Sequence, residues 1–386
     1  MQKILLKHAT IFSMAGPVLE DSDLLMEEGR IAAVGKDIDG EGAKTIDLSG
    51  KFVTPGFIDA HCHIGLFEDS LGFEGDDGNE MTDPVTPQLR AIDAIYPTDR
   101  TFDEALAAGV TMAITGPGSA NVIGGQFAAV KTYGRTVEEK LVSAPVAMKI
   151  AFGENPKRVY YGQKKSPSTR MATASILREA LFKAKEYMEK KEAAAGDPEK
   201  APAFDLKWEA LIPVLKKEIP LKAHAHRADD IMTAIRIAEE FGLRVTLDHC
   251  TEGHLIADLI AAKGLPAIVG PSFSDRSKVE LRNLTFETPG ILSKAGVKIA
   301  IMTDSPVIPS QYLPLCAKLA VRNGLEPEEA LKAITINPAE IVGLADRVGS
   351  LEAGKDADLV VFDRHPLAFE AEVERVFVNG KEVVSR

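Results

Sequence analysis

The stretch that decides the fold is TPGFIDAHCHIG, residues 54–65. It is a short apolar run that ends in two histidines, His61 and His63, separated by a single residue. Residues two apart in a β-strand point to the same face of the sheet, so both imidazoles can converge on one metal ion. A His-x-His pair also occurs as a hydrogen-bonded pair without a metal. The metal interpretation therefore requires further ligands from elsewhere in the chain.

The composition is typical of a globular protein with a sizeable core. The chain has 386 residues, 45% of them hydrophobic and 26% charged, and carries a formal net charge of −12. This acidic balance argues against nucleic acid or an anionic membrane surface as a partner. No apolar run is long enough to span a membrane, and the first residues lack the pattern of a signal peptide. Three scattered cysteines do not form a disulfide framework, so we expect a soluble cytoplasmic protein.

Both ends of the chain are rich in short strand patterns punctuated by glycine. KILLKHATIF, DLLMEEGRIAAVG and KTIDLSGKFVTP lie near the N-terminus, and GSLEAGKDADLVVFD and VERVFVNGKEVVSR lie near the C-terminus. We predict that residues 1–54 and 342–386 together form a small β-sandwich domain around a different middle region.

The middle region, residues 55–341, alternates between apolar strand candidates and helical patterns. Eight strand candidates occur, and helical periodicity covers residues 171–192, 228–241 and 253–263. This alternation predicts an α/β fold, a (β/α)₈ TIM-type barrel, in which catalytic groups lie at the carboxyl ends of the strands. A doubly wound open sheet is the alternative, but it does not explain why polar residues recur at strand ends.

Five of the eight strand candidates end in a residue that can bind a metal. These residues are His61 and His63, Lys149, His224 or His226, His249, and Asp304. A single histidine in such a position is more often a hydrogen-bonded polar residue than a ligand. Together, at one edge of a barrel, they predict a metal centre.

The sequence resembles the amidohydrolase superfamily of metal-dependent barrels over essentially its whole length. TPGFIDAHCH is similar to the first-strand signature of that superfamily, and GSLEAGKDADLVVFD with VFVNGK is similar to its C-terminal sheet. Within the superfamily, the chain looks closest to the imidazolonepropionase-related and prolidase-like amidohydrolases. The resemblance implies an enzyme that uses one or two divalent metal ions, most commonly Zn²⁺.

The resemblance also implies a role for each candidate ligand. His61 and His63 would bind the more buried ion, His224 and His249 a second ion, and Asp304 would bind the first ion and act as the base. Lys149 lies where many relatives carry a lysine carboxylated by CO₂, whose carbamate bridges two ions. Glu154 is the substitute if Lys149 does not serve, and His226 is the alternative to His224. A single-ion site remains open if Lys149 is unmodified.

The implied reaction is hydrolysis of a C–N amide bond by metal-bound hydroxide, with Asp304 as general base and then general acid. Ring deaminases and imidazolonepropionases have a carboxylate two or three residues beyond the strand-five histidine, whereas this chain has His226 and Arg227 there. This difference favours an N-acyl amino acid, a dipeptide or a cyclic amide as substrate. A deaminase or a lactonase on the same barrel is the alternative, and a non-catalytic scaffold is a third.

The predicted mouth loops contain basic and aromatic residues that suit a carboxylate-bearing small molecule. Besides His226, the candidate substrate-binding residues are Arg158, Tyr160, Arg276 and Arg282. Each arginine is equally well explained as surface charge on an exposed loop. We expect a small-molecule substrate and a homo-oligomeric assembly.

Overall fold

The computed structural model describes residues 3–69, 71–197 and 199–386. Its strands are β1 (Ile4–Ile11), β2 (Leu19–Glu27), β3 (Arg30–Gly35), β4 (Lys44–Asp47), β5 (Phe52–Pro55), β6 (Phe57–Cys62), β7 (Val110–Thr115), β8 (Ile123–Lys131), β9 (Leu141–Ala151), β10 (Leu221–Ala225), β11 (Val245–His249), β12 (Ala267–Val269), β13 (Ile299–Ile301), β14 (Leu359–Phe362), β15 (Val373–Val378) and β16 (Lys381–Ser385). Its α-helices are α1 (Arg100–Ala107), α2 (Val137–Lys140), α3 (Glu154–Gly162), α4 (Arg170–Ala193), α5 (Leu206–Leu215), α6 (Ala228–Phe241), α7 (Ala257–Lys263), α8 (Thr288–Lys294), α9 (Leu313–Arg322), α10 (Pro327–Lys332) and α11 (Ile336–Ile341).

Strands from both chain ends pair in one eight-stranded sheet. The order is β16-β15-β14-β5-β1-β2-β3, with β4 also pairing with β1. The join between the two ends is the antiparallel pairing of β14 with β5, in which Leu359 lies opposite Pro55. Strands from the two termini pair with each other, as predicted from the sequence, but the predicted two-sheet sandwich is not confirmed. The division of the chain into domains at residues 54 and 342 stays a prediction.

The second sheet, β6 to β13, is the nearly closed barrel. Its eight strands pair in chain order, and β13 approaches β6 to almost complete the ring. The strands coincide with the eight predicted apolar runs. They are buried along most of their length because a barrel strand is covered by side chains on one face and by helices on the other.

The third barrel strand departs from the predicted (β/α)₈ pattern. β8 pairs antiparallel with both β7 and β9, so the barrel is a mixed sheet. The connection from β7 to β8 covers only residues 116–122, and a parallel crossover needs about a dozen residues or more. A short connection therefore forces the chain to return in the opposite direction.

The barrel places the carboxyl ends of several parallel strands at one edge. β10 and β11 pair in parallel with Ala225 beside His249, and β12 and β13 continue the same direction. Behind them, α6 buries Ile231, Ala234 and Ile235 and ends at Gly242 in the left-handed region, with φ of 64°. No helix in the part of the chain that the structure describes is long and apolar enough to cross a membrane.

Candidate metal centre

His61 in β6 and His63 directly after it are held by hydrogen bonds that their Nδ1 atoms make. His61 is fully buried, and its Nδ1 hydrogen-bonds the carboxylate of Asp248. The Nδ1 of His63 donates to the carbonyl oxygen of Gly116 at 2.6 Å. Each contact places the ring proton on Nδ1 and leaves Nε2 with a free lone pair, which is the usual arrangement of a metal-binding histidine.

Asp304 faces both of these histidines. One of its carboxylate oxygens lies 3.1 Å from His63 Nε2 and 3.6 Å from His61 Nε2. Its side chain is 14% exposed, whereas that of His61 is fully buried, so Asp304 lies on the solvent side of the cluster. Burial opposes ionisation of this carboxyl, but the adjacent His63 and the nearby Lys149 hold its pKa below the usual range. Asp304 is therefore a carboxylate at neutral pH.

The position of Asp304 depends on a buried network beneath it. Its backbone lies in the left-handed region, with φ of 54°, and its N–H donates to the carbonyl of His61 at 3.1 Å. The preceding Thr303 donates its N–H and its hydroxyl to the buried carboxylate of Asp59, which also accepts from Ser310 at 2.9 Å. Burial raises the pKa of Asp59 to about 6.

Three further histidines meet at the ends of β10 and β11. One ring nitrogen from each of His224, His226 and His249 lies within 4.8 Å of the others, and His249 forms a second such group with His61 and Asp304. His249 donates to the carbonyl of Gly270 at 2.9 Å, and His226 Nδ1 contacts Thr251 Oγ1 at 2.8 Å. His249 is common to the two groups, either of which could hold a metal ion.

Burial keeps these imidazoles neutral, which is the form that binds a metal. It lowers the pKa of His226 to about 3 and the pKa values of His61, His224 and His249 well below the usual range. Neutral imidazole nitrogens with a carboxylate are a donor set that suits Zn²⁺ and similar divalent ions. The residues present therefore fit the metal that the family uses.

Two buried lysines lie behind the histidines. Lys149 Nζ is 2.9 Å from His61 Nε2, and burial lowers the pKa of Lys149 to about 8. Lys222 Nζ is 2.9 Å from the carboxylate of Asp248, so His61 and Lys222 share this one acidic partner. The sequence interpretation included Lys149 but missed Lys222 and Asp248, although Lys222 lies two residues before His224 on the same strand.

Glu280 is a further buried residue of the site that the sequence did not indicate. It lies in the connection after β12, and its carboxylate oxygen Oε1 is 3.7 Å from His226 Nε2 and 4.0 Å from His224 Nε2. Glu154, the proposed substitute for Lys149, donates its backbone N–H to the other oxygen of Glu280 at 3.0 Å. The Glu154 carboxylate in turn accepts the backbone N–H of Glu280 at 3.4 Å, and its role as a substitute for Lys149 stays a prediction.

The four residues predicted to bind substrate from the mouth loops occupy dissimilar positions. Arg158, Arg276 and Arg282 are exposed; Arg276 donates to the carbonyl of Leu284 at 2.7 Å, and Arg282 lies 3.9 Å from the carboxylate of Glu252. Tyr160 is fully buried, and burial raises its pKa. The structure brings His226 into the histidine cluster, and the roles of the other four stay predictions.

The comparisons with known proteins agree with this geometry. The sequence profile of the Amidohydrolase family matches residues 52–383. An amidohydrolase from Thermotoga maritima has a solved structure with a TM-score of 0.96 and 49% sequence identity, covering 99% of this chain and 100% of that one. Imidazolonepropionase from Thermoplasma acidophilum is 26% identical over 95% of this chain and 88% of its own length.

Two other matches are more partial or more distant. Amidohydrolase tasK from Hapsidospora irregularis is 30% identical, over 93% of this chain but only 39% of its own length. This chain therefore spans well under half of that protein. A prolidase crystallised with N-methylphosphonate-L-proline shares the fold, with a TM-score of 0.63 at 19% identity. On the match of the family profile and the histidine and aspartate cluster at the barrel edge, this chain belongs to the amidohydrolase family and is a metal-dependent hydrolase of carbon–nitrogen bonds.

Proposed function

We propose that the protein hydrolyses the C–N amide bond of a small molecule: an N-acyl amino acid, a dipeptide or a cyclic amide. The observation that carries the proposal is the position of Asp304, a partly exposed carboxylate within 3.1 Å of His63 and 3.6 Å of His61. A carboxylate in this position has both a metal-binding partner and access to an incoming water.

The ligand assignment proposed here is the one that the resemblance to the family implies, and the clustering of these side chains supports it. His61, His63 and Asp304 would hold the inner ion, and His224 and His249 the outer ion. Lys149 would carry a carbamate, formed when its amine nitrogen bonds to the carbon of CO₂ and releases a proton. The contact of Lys149 Nζ with His61 Nε2 at 2.9 Å supports this role, because the amine lies beside a candidate metal ligand.

Asp304 would move the proton during the reaction. A divalent ion bound at this site lowers the pKa of water to about 7 and polarises a carbonyl oxygen. Asp304 would accept a proton from the attacking water and deliver it to the leaving nitrogen, so that water adds across the C–N bond to give an acid and an amine. The hydrogen bond from the backbone N–H of Asp304 to the carbonyl of His61 keeps this residue in place for both transfers.

Deamination is the second candidate. Adenine deaminase from Listeria monocytogenes is 25% identical over 99% of this chain, although over only 57% of its own length. Against this candidate, the fifth barrel strand, β10, is followed by His226 and Arg227, where a ring deaminase has its carboxylate. The two reactions differ in product, because a deaminase releases ammonia from a ring carbon whereas an amidase releases a carboxylic acid and an amine.

The test is a substrate panel with wild type, Asp304→Asn and a matched control, Asp346→Asn, which changes an exposed aspartate. The panel contains N-acyl amino acids, dipeptides, cyclic amides and aminopurines. We expect amide hydrolysis by wild type and the control, and a loss of about 100-fold or more in kcat for Asp304→Asn. Turnover of aminopurines alone, with ammonia as product, would instead establish the deaminase.

A further inference from the structure

Glu280 has a buried carboxylate oxygen for which no described residue provides a hydrogen bond. The residue is 1% exposed, and its Oε2 accepts the N–H of Glu154 at 3.0 Å. Its Oε1 is inaccessible to solvent and has no hydrogen-bonding partner in the part of the chain that the structure describes. A buried carboxylate oxygen left in this state is strongly destabilising, so this oxygen requires a cation or a donor.

The surroundings of this oxygen favour a small cation. His226 Nε2 at 3.7 Å and His224 Nε2 at 4.0 Å face this oxygen but are beyond hydrogen-bonding distance. An organic substrate does not reach a solvent-inaccessible atom. A bare metal ion is small enough to bind between this oxygen and the two ring nitrogens. The ring nitrogens and Oε1 are all atom types that bind Zn²⁺.

The spacing matches a coordination shell. Ligand atoms at about 2.1 Å from a tetrahedral Zn²⁺ lie roughly 3.4 Å from one another. The distances from Glu280 to His226 and to His224, 3.7 and 4.0 Å, exceed this spacing by about 0.3 and 0.6 Å. We propose that Glu280 is a direct ligand of the outer metal ion, together with His224, His226 and His249. This inference rests on the metal centre described above and adds two ligands, His226 and Glu280, to its outer position.

Charge supports this assignment. Three neutral imidazoles contribute no negative charge to the outer ion, and Glu280 supplies one. With four protein ligands, the outer ion does not require a carbamate on Lys149. The outer ion is therefore retained when Lys149 is replaced, whereas it is lost when Glu280 is replaced.

Gly153 positions the carboxylate of Glu280. This glycine precedes α3 with φ of 81°, and a Cβ added to it would lie 2.6 Å from Glu280 Oε2. A side chain there would displace the carboxylate from its place beside the histidines. Gly153→Ala thus tests the same contact without removing the carboxylate itself.

The experiment measures Zn²⁺ binding, not turnover. Metal-free wild type, Glu280→Gln, Lys149→Met and the control Glu287→Gln, which changes an exposed glutamate in the same connection, are titrated with buffered Zn²⁺. Bound metal is measured by mass spectrometry. We expect Glu280→Gln, alone among the variants, to weaken Zn²⁺ binding at the weaker of two sites. The loss in affinity should exceed the roughly 10–100-fold that is typical when only a hydrogen-bonding partner of a ligand is removed.

Three results would overturn the proposal: equal Zn²⁺ binding by Glu280→Gln and Glu287→Gln, a single site in wild type that Glu280→Gln does not weaken, or loss of the outer ion in Lys149→Met. If Glu280→Gln does not fold, Co²⁺-loaded Gly153→Ala decides the matter. Its visible absorption spectrum must differ from that of Co²⁺-loaded wild type, and an identical spectrum refutes the proposal. Failure to hydrolyse any amide would refute the proposed function while leaving these titrations valid.

Discussion

Replacing Asp248 by asparagine tests how the buried charges behind the metal centre support one another. Asp248 is fully buried and accepts hydrogen bonds from Lys222 Nζ at 2.9 Å, Thr246 Oγ1 at 2.5 Å and His61 Nδ1. Lys222 is equally buried, and its other hydrogen bond goes to the carbonyl of Ala60 at 3.2 Å. Asp248→Asn thus removes the negative charge that compensates this lysine.

The expected loss of stability is large. Removing one partner of a fully buried ion pair typically destabilises a protein by about 3–5 kcal/mol, because the remaining charge has no compensation. The same change weakens the hydrogen bond that fixes the His61 ring, and such a change lowers metal affinity by roughly 10–100-fold. We therefore expect a metal-free protein that unfolds at lower urea concentration and, separately, weaker Zn²⁺ binding.

The assay is urea unfolding of metal-free wild type, Asp248→Asn, Lys222→Met and the double variant. The double variant removes both charges, so it should recover much of the stability lost in Asp248→Asn. The exposed control Asp346→Asn should stay within about 0.5 kcal/mol of wild type. If Asp248→Asn is as stable as this control, or if the double variant loses the sum of both single losses, the reasoning is refuted.

Two other buried lysines give predictions away from the metal centre. Lys131 donates to Asp356 at 3.1 Å and to Asp358, so Lys131→Met should lower the free energy of unfolding in urea by about 3–5 kcal/mol. The control Lys183→Met, which removes an exposed ion pair, should lower it by less than about 1 kcal/mol. Equal losses in the two variants would contradict this prediction. Burial lowers the pKa of Lys140 to about 8 from 10.5, opposed by nearby carboxylates. Between pH 8 and 10.5 the unfolded chain keeps a proton on Lys140 that the folded chain has released. The free energy of unfolding therefore rises with pH over this range, by at most about 3 kcal/mol. Lys140→Met should remove that rise, and parallel pH profiles of unfolding for variant and wild type would show the pKa assignment to be wrong.

The barrel was predictable because its signal is local. Each of the eight strands contains a short apolar run, and the candidate metal ligands lie near its carboxyl end, as His61 and Asp304 do. The reversal of β8 was missed, because alternating strands and helices are typical of a parallel barrel and only the short connection at 116–122 indicates otherwise. The arrangement of the terminal strands depends on pairing between distant segments, such as β5 with β14, which no local pattern specifies.

The site shows the same division between local and distant information. His61 and His249 lie on barrel strands and His63 directly follows one, so their meeting follows from the fold. Glu280 lies in an irregular connection, and its place beside His224 and His226 depends on a backbone contact with Glu154, a residue 126 positions away in the chain. The ion pair of Lys222 with Asp248 could not be predicted from either strand alone, because it forms through the pairing of β10 with β11.

The central claim, a metal-dependent amidohydrolase with its metal centre at the barrel edge, is tested most directly by metal content and activity in the same sample. Protein purified without added metal is analysed for bound ions and assayed for amide hydrolysis, then stripped with a chelator and reloaded with Zn²⁺. We predict one or two divalent ions per chain. Hydrolysis by the wild type should stop when the metal is stripped and return when Zn²⁺ is added back, whereas Asp304→Asn should show no hydrolysis after reloading. Hydrolysis that persists in the stripped protein, or in Asp304→Asn, would contradict the account.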